Sequence, residues 1–322
     1  MLQRINSHVF LDPRGVMANF GRVTRHLRAR LAGAGEGDLE RKVLTLVPTR
    51  DGGDYLTCEE GEIWRATRFV EGSVSHDLAR DPGMAYAAAE AFGRFQRLLA
   101  DLPGPRLIET IPGFHHTVKR LAALVEAARA DRLGRTTGAE AEIDFALARR
   151  ELAGSLLAMA ARGELAETVT HGDTKINNVL LDERDGRALC VIDLDTVMPG
   201  LAAVDFGELV RSAAFRVAED DPDPARVELD LDLFRALASG FLAGRGEDLP
   251  ADERRAMALA GLVMSYENGV RFLTDYLDGD RYFRTHRPGQ NLDRAKNHFA
   301  RVRALERRAG EIERLLEASP EA

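Results

Sequence analysis

Only two cysteines, Cys58 and Cys190, occur in 322 residues. That scarcity excludes a disulfide framework and a cysteine-based metal site, and it points to a reducing compartment. No apolar run reaches the roughly 20 residues that cross a bilayer. Met1-Leu2-Gln3-Arg4 leads into a strand-like segment instead of a secretory signal, so a cytoplasmic protein without membrane contact is expected. A basic surplus is missing too: 44 Lys and Arg against 52 Asp and Glu leave a formal net charge of -8, which argues against a general affinity for nucleic acid. Internal repeats and low-complexity blocks are lacking. What is present is 45% hydrophobic residues, enough to fill one large core or two modest ones.

The pattern changes along the chain. Residues Leu2 to Phe10 read as a strand. Asp12-Pro13 then supplies an N-cap and a first-turn proline for a helix to about Leu31, ended near Gly33 and Gly35. Lys42 to Val47, Tyr55 to Thr57 and Ile63 to Val70 read as further strands around an Asp51-Gly52-Gly53 turn. A small, mostly antiparallel sheet with one helix results. After Glu71-Gly72-Ser73, Asp81-Pro82 opens a second helix with Met84, Ala88, Ala91, Phe95, Leu98 and Leu99 at three- and four-residue spacing. The chain then stays largely helical to Leu165, with breaks at Pro103 to Phe114 and Gly134 to Gly138. Val179-Leu180-Leu181 and Ala188 to Ile192 flank an Asp-Gly turn and predict a hairpin. With Leu181 facing Ala188, Asn178 lies opposite Val191, and Asn178 and Asp193 meet at the hairpin's open end beside Asp173.

That convergence gives the stretch His171-Gly172-Asp173-Thr174-Lys175-Ile176-Asn177-Asn178, followed by Asp193-Leu194-Asp195-Thr196, a chemical meaning. Transfer of a γ-phosphoryl group to a hydroxyl needs a carboxylate near the hydroxyl, Mg2+ across the phosphate oxygens, and fixed positive charge where negative charge accumulates. Asp173 is the candidate base, Asn178 and Asp193 are candidate Mg2+ ligands, and Lys175 is a candidate contact to the transferring phosphate. His171 is expected to hold the loop by hydrogen bonding. Asp195 shares a strand face with Asp193 if extended, and serves either as a further metal contact or as a turn cap. A lone aspartate in a loop ordinarily caps a turn; the HxDxxxxN spacing leading into a hairpin that ends in IDxD is far more specific.

With these motifs the chain resembles the aminoglycoside phosphotransferase and choline kinase superfamily, and within it the N-acetylhexosamine 1-kinase group. The segments that carry the likeness are LQRINSHVF, RFVEG, AFGRFQRLLADL, IPGFHHTVKR, HGDTKINNVLLD, VIDLDTVMPG with DFGELVR, and VRFLTDYLDGDRYF. The resemblance implies an α+β, bilobal, protein-kinase-like fold. Residues 1–70 would form the N-terminal nucleotide lobe, 71–75 the hinge, and 76–322 a helical C-terminal lobe. ATP would lie between the lobes, its adenine against Arg68, Phe69 and Val70, with Arg4 as the strand cation on the α- and β-phosphates. Asp205 would brace the catalytic loop. For the acceptor the resemblance implies the anomeric hydroxyl of a hexose or N-acetylhexosamine, with His115, Thr117, Arg120, Arg271 and Arg287 as candidate contacts and Tyr276, Tyr282 and Phe283 as a candidate floor.

Relatives begin with two strands joined by a glycine-containing loop over the phosphates, and no glycine-rich turn precedes Arg4 here. The N-terminal lobe is therefore expected to lack them, either through a start upstream of Met1 or through decay of the nucleotide lid. No Asp or Glu lies between Pro13 and Leu31 to pair with the strand cation. Two other functions stay open: a kinase for a cationic alcohol such as an aminoglycoside or a choline-like compound, and a nucleotide-binding module without catalysis. A monomer is expected.

Overall fold

The computed structural model describes residues 1–246 and 249–317. Its N-terminal part is a three-stranded antiparallel sheet: β1 (Leu2–Arg4), β2 (Leu56–Thr57) and β3 (Ile63–Ala66), in the order β1-β3-β2. Gln3 lies opposite Arg65, and Leu56 opposite Trp64. The first strand is shorter than its apolar pattern predicts. After Ile5, whose amide donates to the Ile63 carbonyl at 2.9 Å, Asn6 turns the chain by accepting from the amides of His8, Val9 and Phe10. The sheet covers α1 (Pro13–Gly33), which starts where Asp12 accepts from the Gly15 amide at 3.0 Å. Val16, Met17, Phe20, Val23, Leu27 and Leu31 form the buried stripe of α1.

The predicted strand at Lys42 to Val47 is not one. Leu39–Lys42 is a one-turn helix, α2, and only Leu46 forms a bridge, to Thr67. Asp38, in the left-handed region at φ 57, turns the chain so that Glu40, Arg41 and Lys42 serve a helical turn instead of a ladder.

The segment expected as a hinge carries β4 (Ser73–Val74), and the chain then enters α3 (Pro82–Leu99), capped by Asp81 on the Met84 amide. The helical part continues through α4 (Thr117–Ala130), α5 (Glu140–Ala148) and α6 (Arg150–Ala161). Four short strands follow: β5 (Glu167–Thr170), β6 (Val179–Asp182), β7 (Ala188–Val191) and β8 (Met198–Leu201). Then come α7 (Ala202–Ala213), α8 (Leu231–Arg245), α9 (Ala251–Asp278), α10 (Gln290–Arg307) and α11 (Ala309–Glu317). Helix α8 packs on α3 backbone to backbone. A Cβ on Gly240 would sit 2.3 Å from the Tyr86 carbonyl oxygen, so this approach requires a glycine. One core joins α3, α7, α8 and α9 through Phe92, Phe206, Phe234, Phe241 and Met264, and a second joins α4, α5, α9 and α10 around Tyr266 and Phe299.

The short strands place the motif residues. Residues 171–178 run from β5 to β6, and residues 192–197 run from β7 to β8. β5 pairs with β8 (Thr170 opposite Met198) and β6 with β7 (Val179 opposite Val191). Both loops are thus tied at both ends to partnered strands, which forces them side by side.

Candidate active site

His171 enters the loop from β5 with its backbone amide on Asp205 Oδ2 (2.9 Å), while the Gly172 amide donates to Asp205 Oδ1 (2.8 Å). Gln96 adds a third donor at 2.6 Å, and the Thr174 hydroxyl donates to the Asp205 carbonyl. Asp205 is fully buried, so its carboxylate takes the place of water for two loop amides that would otherwise lack a partner. The His171 ring packs edge-on against Phe92 and Phe95, and its Nε2 lies 2.9 Å from the Ile192 carbonyl oxygen. Gly172 has φ 78, and a Cβ there would come 3.0 Å from the Thr196 carbonyl oxygen. Two constraints therefore demand glycine immediately before Asp173.

Lys175 Nζ lies 2.9 Å from Asp173 Oδ1. Burial pushes the Asp173 carboxyl up, but the charge and hydrogen bond of Lys175, with the more distant Arg211, outweigh it and hold the group below its ordinary value. Asp173 is therefore ionised at neutral pH. Arg211 lies beneath the loop, fully buried and paired with Glu208 at 2.5 Å and Glu219 at 2.9 Å.

Asn178 donates through Nδ2 to the Asp173 carbonyl at 2.7 Å, which leaves its Oδ1 without a protein partner among the described residues. Its position is one residue off the expected register. A bulge between Leu180 and Leu181 keeps Leu181 opposite Ala188 but sets Val179, not Asn178, opposite Val191. Asn178 remains bonded across the hairpin through its carbonyl, which accepts from the Ile192 amide at 2.9 Å. Asp193 follows at φ 59, in the left-handed region, and its carboxylate has no protein donor among the described residues. Burial and the neighbouring Asp195 charge push its carboxyl above the usual range. A carboxylate destabilised in this way, beside an amide oxygen with no protein donor, is a donor set suited to a hard divalent cation that keeps several other oxygens.

Asp195 does not share that face. It pairs with Arg65, a side chain buried between the first sheet and Phe20, with the guanidinium 4.4 Å from the Phe20 ring centroid. A short 3-10 turn over Leu194–Thr196 replaces the extended strand that would have aligned Asp193 with Asp195. Arg4 is also misplaced by the expectation. Gln3 and Arg65 are directly paired and share one face, so Arg4 lies on the opposite, solvent face, bonded to Glu62 at 2.6 Å. Arg65 is the cation this sheet presents to the loop. In the segment expected to face the adenine, Arg68 pairs with Glu40 at 3.2 Å, Phe69 is exposed and Val70 is buried.

Around the acceptor side the candidates separate. His115 and Thr117 turn inward to a buried carboxylate on α9: His115 Nδ1 lies 2.9 Å from Glu267 Oε1, and the Thr117 hydroxyl donates to Glu267 Oε2 at 2.5 Å. Their polar atoms are engaged there, not offered to an acceptor. Arg120 donates to the Phe114 carbonyl at 2.8 Å. Arg271, one helical turn beyond Glu267, lies within 5.1 Å of the Phe114, 5.4 Å of the Phe283 and 6.0 Å of the Tyr282 ring centroid, with no carboxylate in ion-pair contact among the described residues. Burial and the Arg271 charge lower the Arg120 pKa. The loop bearing Tyr282 and Phe283 is fixed by Asp275, which accepts from the amides of Arg281, Tyr282 and Phe283 at 2.8 to 2.9 Å. Tyr276 packs under Arg135 instead. Arg287 is engaged by Asp293 and the Asp220 carbonyl, outside this cluster.

Arg65, Glu267 and Asp275 escaped the sequence reading. Glu267 had a signal: in Val263-Met264-Ser265-Tyr266-Glu267-Asn268 it is a charge embedded in the buried stripe of a helix, where burial demands a partner.

The loop bearing Asp173 sits between two strand ladders of a kinase-like fold, and the family match defines the class: a phosphotransferase. The phosphotransferase enzyme family matches residues 4–259, and the chain belongs to it. In fold it is similar to the aminoglycoside phosphotransferase of Alicyclobacillus acidocaldarius, at TM-score 0.60 and 16% identity over 98% of this chain and 86% of that one. It is also similar to a choline/ethanolamine kinase family protein of Mesorhizobium loti, at TM-score 0.55 and 16% identity over 98% and 85%. A spectinomycin phosphotransferase in complex with ADP and spectinomycin matches at TM-score 0.52 and 11% identity over 92% and 83%. Among the described residues no helix is long and apolar enough to cross a membrane.

Proposed function

We propose that this chain transfers the γ-phosphoryl group of ATP to the anomeric hydroxyl of a hexose or N-acetylhexosamine. The observation that carries the reading is one juxtaposition: an ionised Asp173 whose backbone carbonyl is held by Asn178, next to an Asp193 carboxylate with no protein donor among the described residues. Asp173 accepts the acceptor's hydroxyl proton and orients its oxygen for attack. Asn178 Oδ1 and Asp193 would hold Mg2+, which would supply positive charge to offset that of the phosphates during transfer. Lys175 is partly exposed and ties Asp173 until an acceptor arrives, then lies within reach of the transferring phosphate. The adenine belongs against the Arg68 to Val70 segment.

The acceptor reading is supported by Phe114, Phe283 and Tyr282 around Arg271, with Arg120 adjacent. Aromatic faces and guanidinium donors suit the C–H and O–H faces of a sugar. Two neighbouring cations repel a quaternary ammonium or an aminoglycoside, which sets this site apart from the cationic acceptors named for its structural neighbours.

Coupled ADP release across hexoses, N-acetylhexosamines, choline and aminoglycosides tests the reading. Turnover is expected with a hexose or N-acetylhexosamine. Turnover confined to choline or an aminoglycoside would overturn the acceptor, and ADP binding without turnover on any of them would favour a binding module.

A further inference from the structure

His115 stands just before α4, with its side chain 13% exposed and both ring nitrogens engaged. Nδ1 lies 2.9 Å from Glu267 Oε1, and Nε2 lies 2.7 Å from the carbonyl oxygen of Gly172. A carbonyl oxygen only accepts. Glu267 takes the Thr117 hydroxyl on its other oxygen, and burial, which raises its carboxyl, is outweighed by the His115 charge and hydrogen bond, which hold it ionised. Both partners of the ring are therefore acceptors. A neutral imidazole has one N–H and can satisfy only one of them; satisfying both requires the imidazolium.

The Gly172 carbonyl belongs to the peptide plane that leads directly into Asp173, so fixing that oxygen fixes the amide from which the Asp173 side chain departs. Asp205 grips the same loop by the Gly172 amide at 2.8 Å, and the left-handed Gly172 stands between the two grips. We propose that His115 is a positioning residue which, as an imidazolium clamped by Glu267, holds the Gly172 carbonyl and so sets Asp173 for transfer, releasing that hold on deprotonation. The proposal rests on the reading of Asp173 as the base.

The charges facing the ring agree with the geometry. Burial pushes the His115 pKa down, but Glu267 of α9, by charge and hydrogen bond, and Glu208 of α7, by charge, overcome this and raise it above its ordinary value of 6.5. Arg120 and Arg271 face Glu267 from α4 and α9, and Arg211 neutralises part of Glu208. The Phe114 ring covers one side of the imidazole at 4.3 Å. Because the folded value is raised, the contribution of the charged ring is fully present below pH 6.5 and is lost as pH rises through the folded value.

The test follows His115 itself by nitrogen NMR on the full chain and follows turnover in parallel. Both ring nitrogens are expected to carry protons at pH 6.5, and the backbone signals of Gly172 and Asp173 are expected to titrate with them, even in the absence of an acceptor. Glu267→Gln, which keeps the shape, is expected to move that titration and the alkaline limb of kcat to lower pH by about one unit. At pH 8 it should lower kcat about tenfold with little change in KM for ATP. His115→Gln, which restores one donor, should retain part of the activity and lose the alkaline limb. A singly protonated ring at pH 6.5, or Gly172 and Asp173 signals that ignore its titration, overturns the proposal. An alkaline limb unmoved in Glu267→Gln does the same. Full activity of Asp173→Asn with those NMR couplings intact would instead strike the base assignment and leave the strut standing.

Discussion

The first sheet and the loop bearing Asp173 are held in different ways. The sheet has three strands of two to four residues and packs on α1 through Ile5, Ile63, Val16 and Met17, while α1 packs in turn on Phe95, Leu99, Leu194 and Val197. The polar links of this sheet, α1 and α2 to the rest of the chain include several side-chain arms. Arg65 reaches Asp195, Arg41 reaches Asp182 and the carbonyls of Glu71 and Gly72, and Asn19 of α1 bonds the Val197 carbonyl at 3.0 Å and Ile108. The loop is gripped by its own backbone: Asp205 on two amides, His115 on a carbonyl, Asn178 on the next. Backbone bonds to buried partners allow few alternative positions, whereas long ion-paired arms tolerate relative movement. In the proposed reading the base would lie on the backbone-held side and the nucleotide cover on the side held by side-chain arms, an arrangement that would let one surface shift over another while the Asp173 carboxylate stays fixed.

The comparison breaks most visibly at Asp173. Replacing it with Asn keeps the size and removes the proton acceptor, so turnover should fall about a thousandfold while the thermal midpoint changes little. ADP-release kinetics with a calorimetric scan would separate the two, and near-normal turnover would remove Asp173 from the chemistry. Next is Asp205→Ala, which strands the His171 and Gly172 amides in a fully buried setting. A loss of about 4 kcal/mol is expected, with activity lost at temperatures where the fold survives. Denaturant unfolding reads the first and turnover at low temperature the second.

Arg65→Met acts on the side held by side-chain arms. It removes one partner of an ion pair that is buried at the arginine end and only 14% exposed at Asp195, and the expected cost is about 2 kcal/mol. The comparison predicts where the cost falls: hydrogen exchange should accelerate at β1, β3 and α1, while the amides of His171 and Gly172 keep their protection. Equal acceleration in both regions would mean that they form one cooperative unit.

What the sequence disclosed follows the same division. Asp12 and Asp81 were readable as helix caps because a cap is chemistry within three residues, and both accept the amides that local geometry dictates. The loop and hairpin were readable because spacing and an Asp-Gly turn specify them locally. The bulge at Leu180 was not, since an extra residue leaves no mark in an apolar run. Nor were the partners. The metal-contact alternative for Asp195 rests on strand alternation that a 3-10 turn cancels, Arg4 is what the resemblance offers while only the register shows Arg65 on the inner face, and His115 meets a glutamate 152 residues away. Sequence supplies the groups that must be satisfied; only the packed chain says by what.

The smallest expected effect sharpens the comparison at its most exposed point. Arg4 and Glu62 form a bridge whose side chains are 55% and 36% exposed, so water and salt already screen it. Arg4→Ala should therefore cost no more than about 0.5 kcal/mol. It should also leave nucleotide affinity unchanged, because residue 4 lies on the face opposite Arg65 and the loop. Titration of ATP with Mg2+ into Arg4→Ala and Arg65→Met proteins, followed by calorimetry, compares the two cations directly. Weaker binding in the Arg65 variant alone assigns the inner face to the nucleotide. An affinity loss of about tenfold or more in Arg4→Ala would mean that the strand turns its other face to the phosphates when the nucleotide is bound, and that the compliance of this sheet extends to its register.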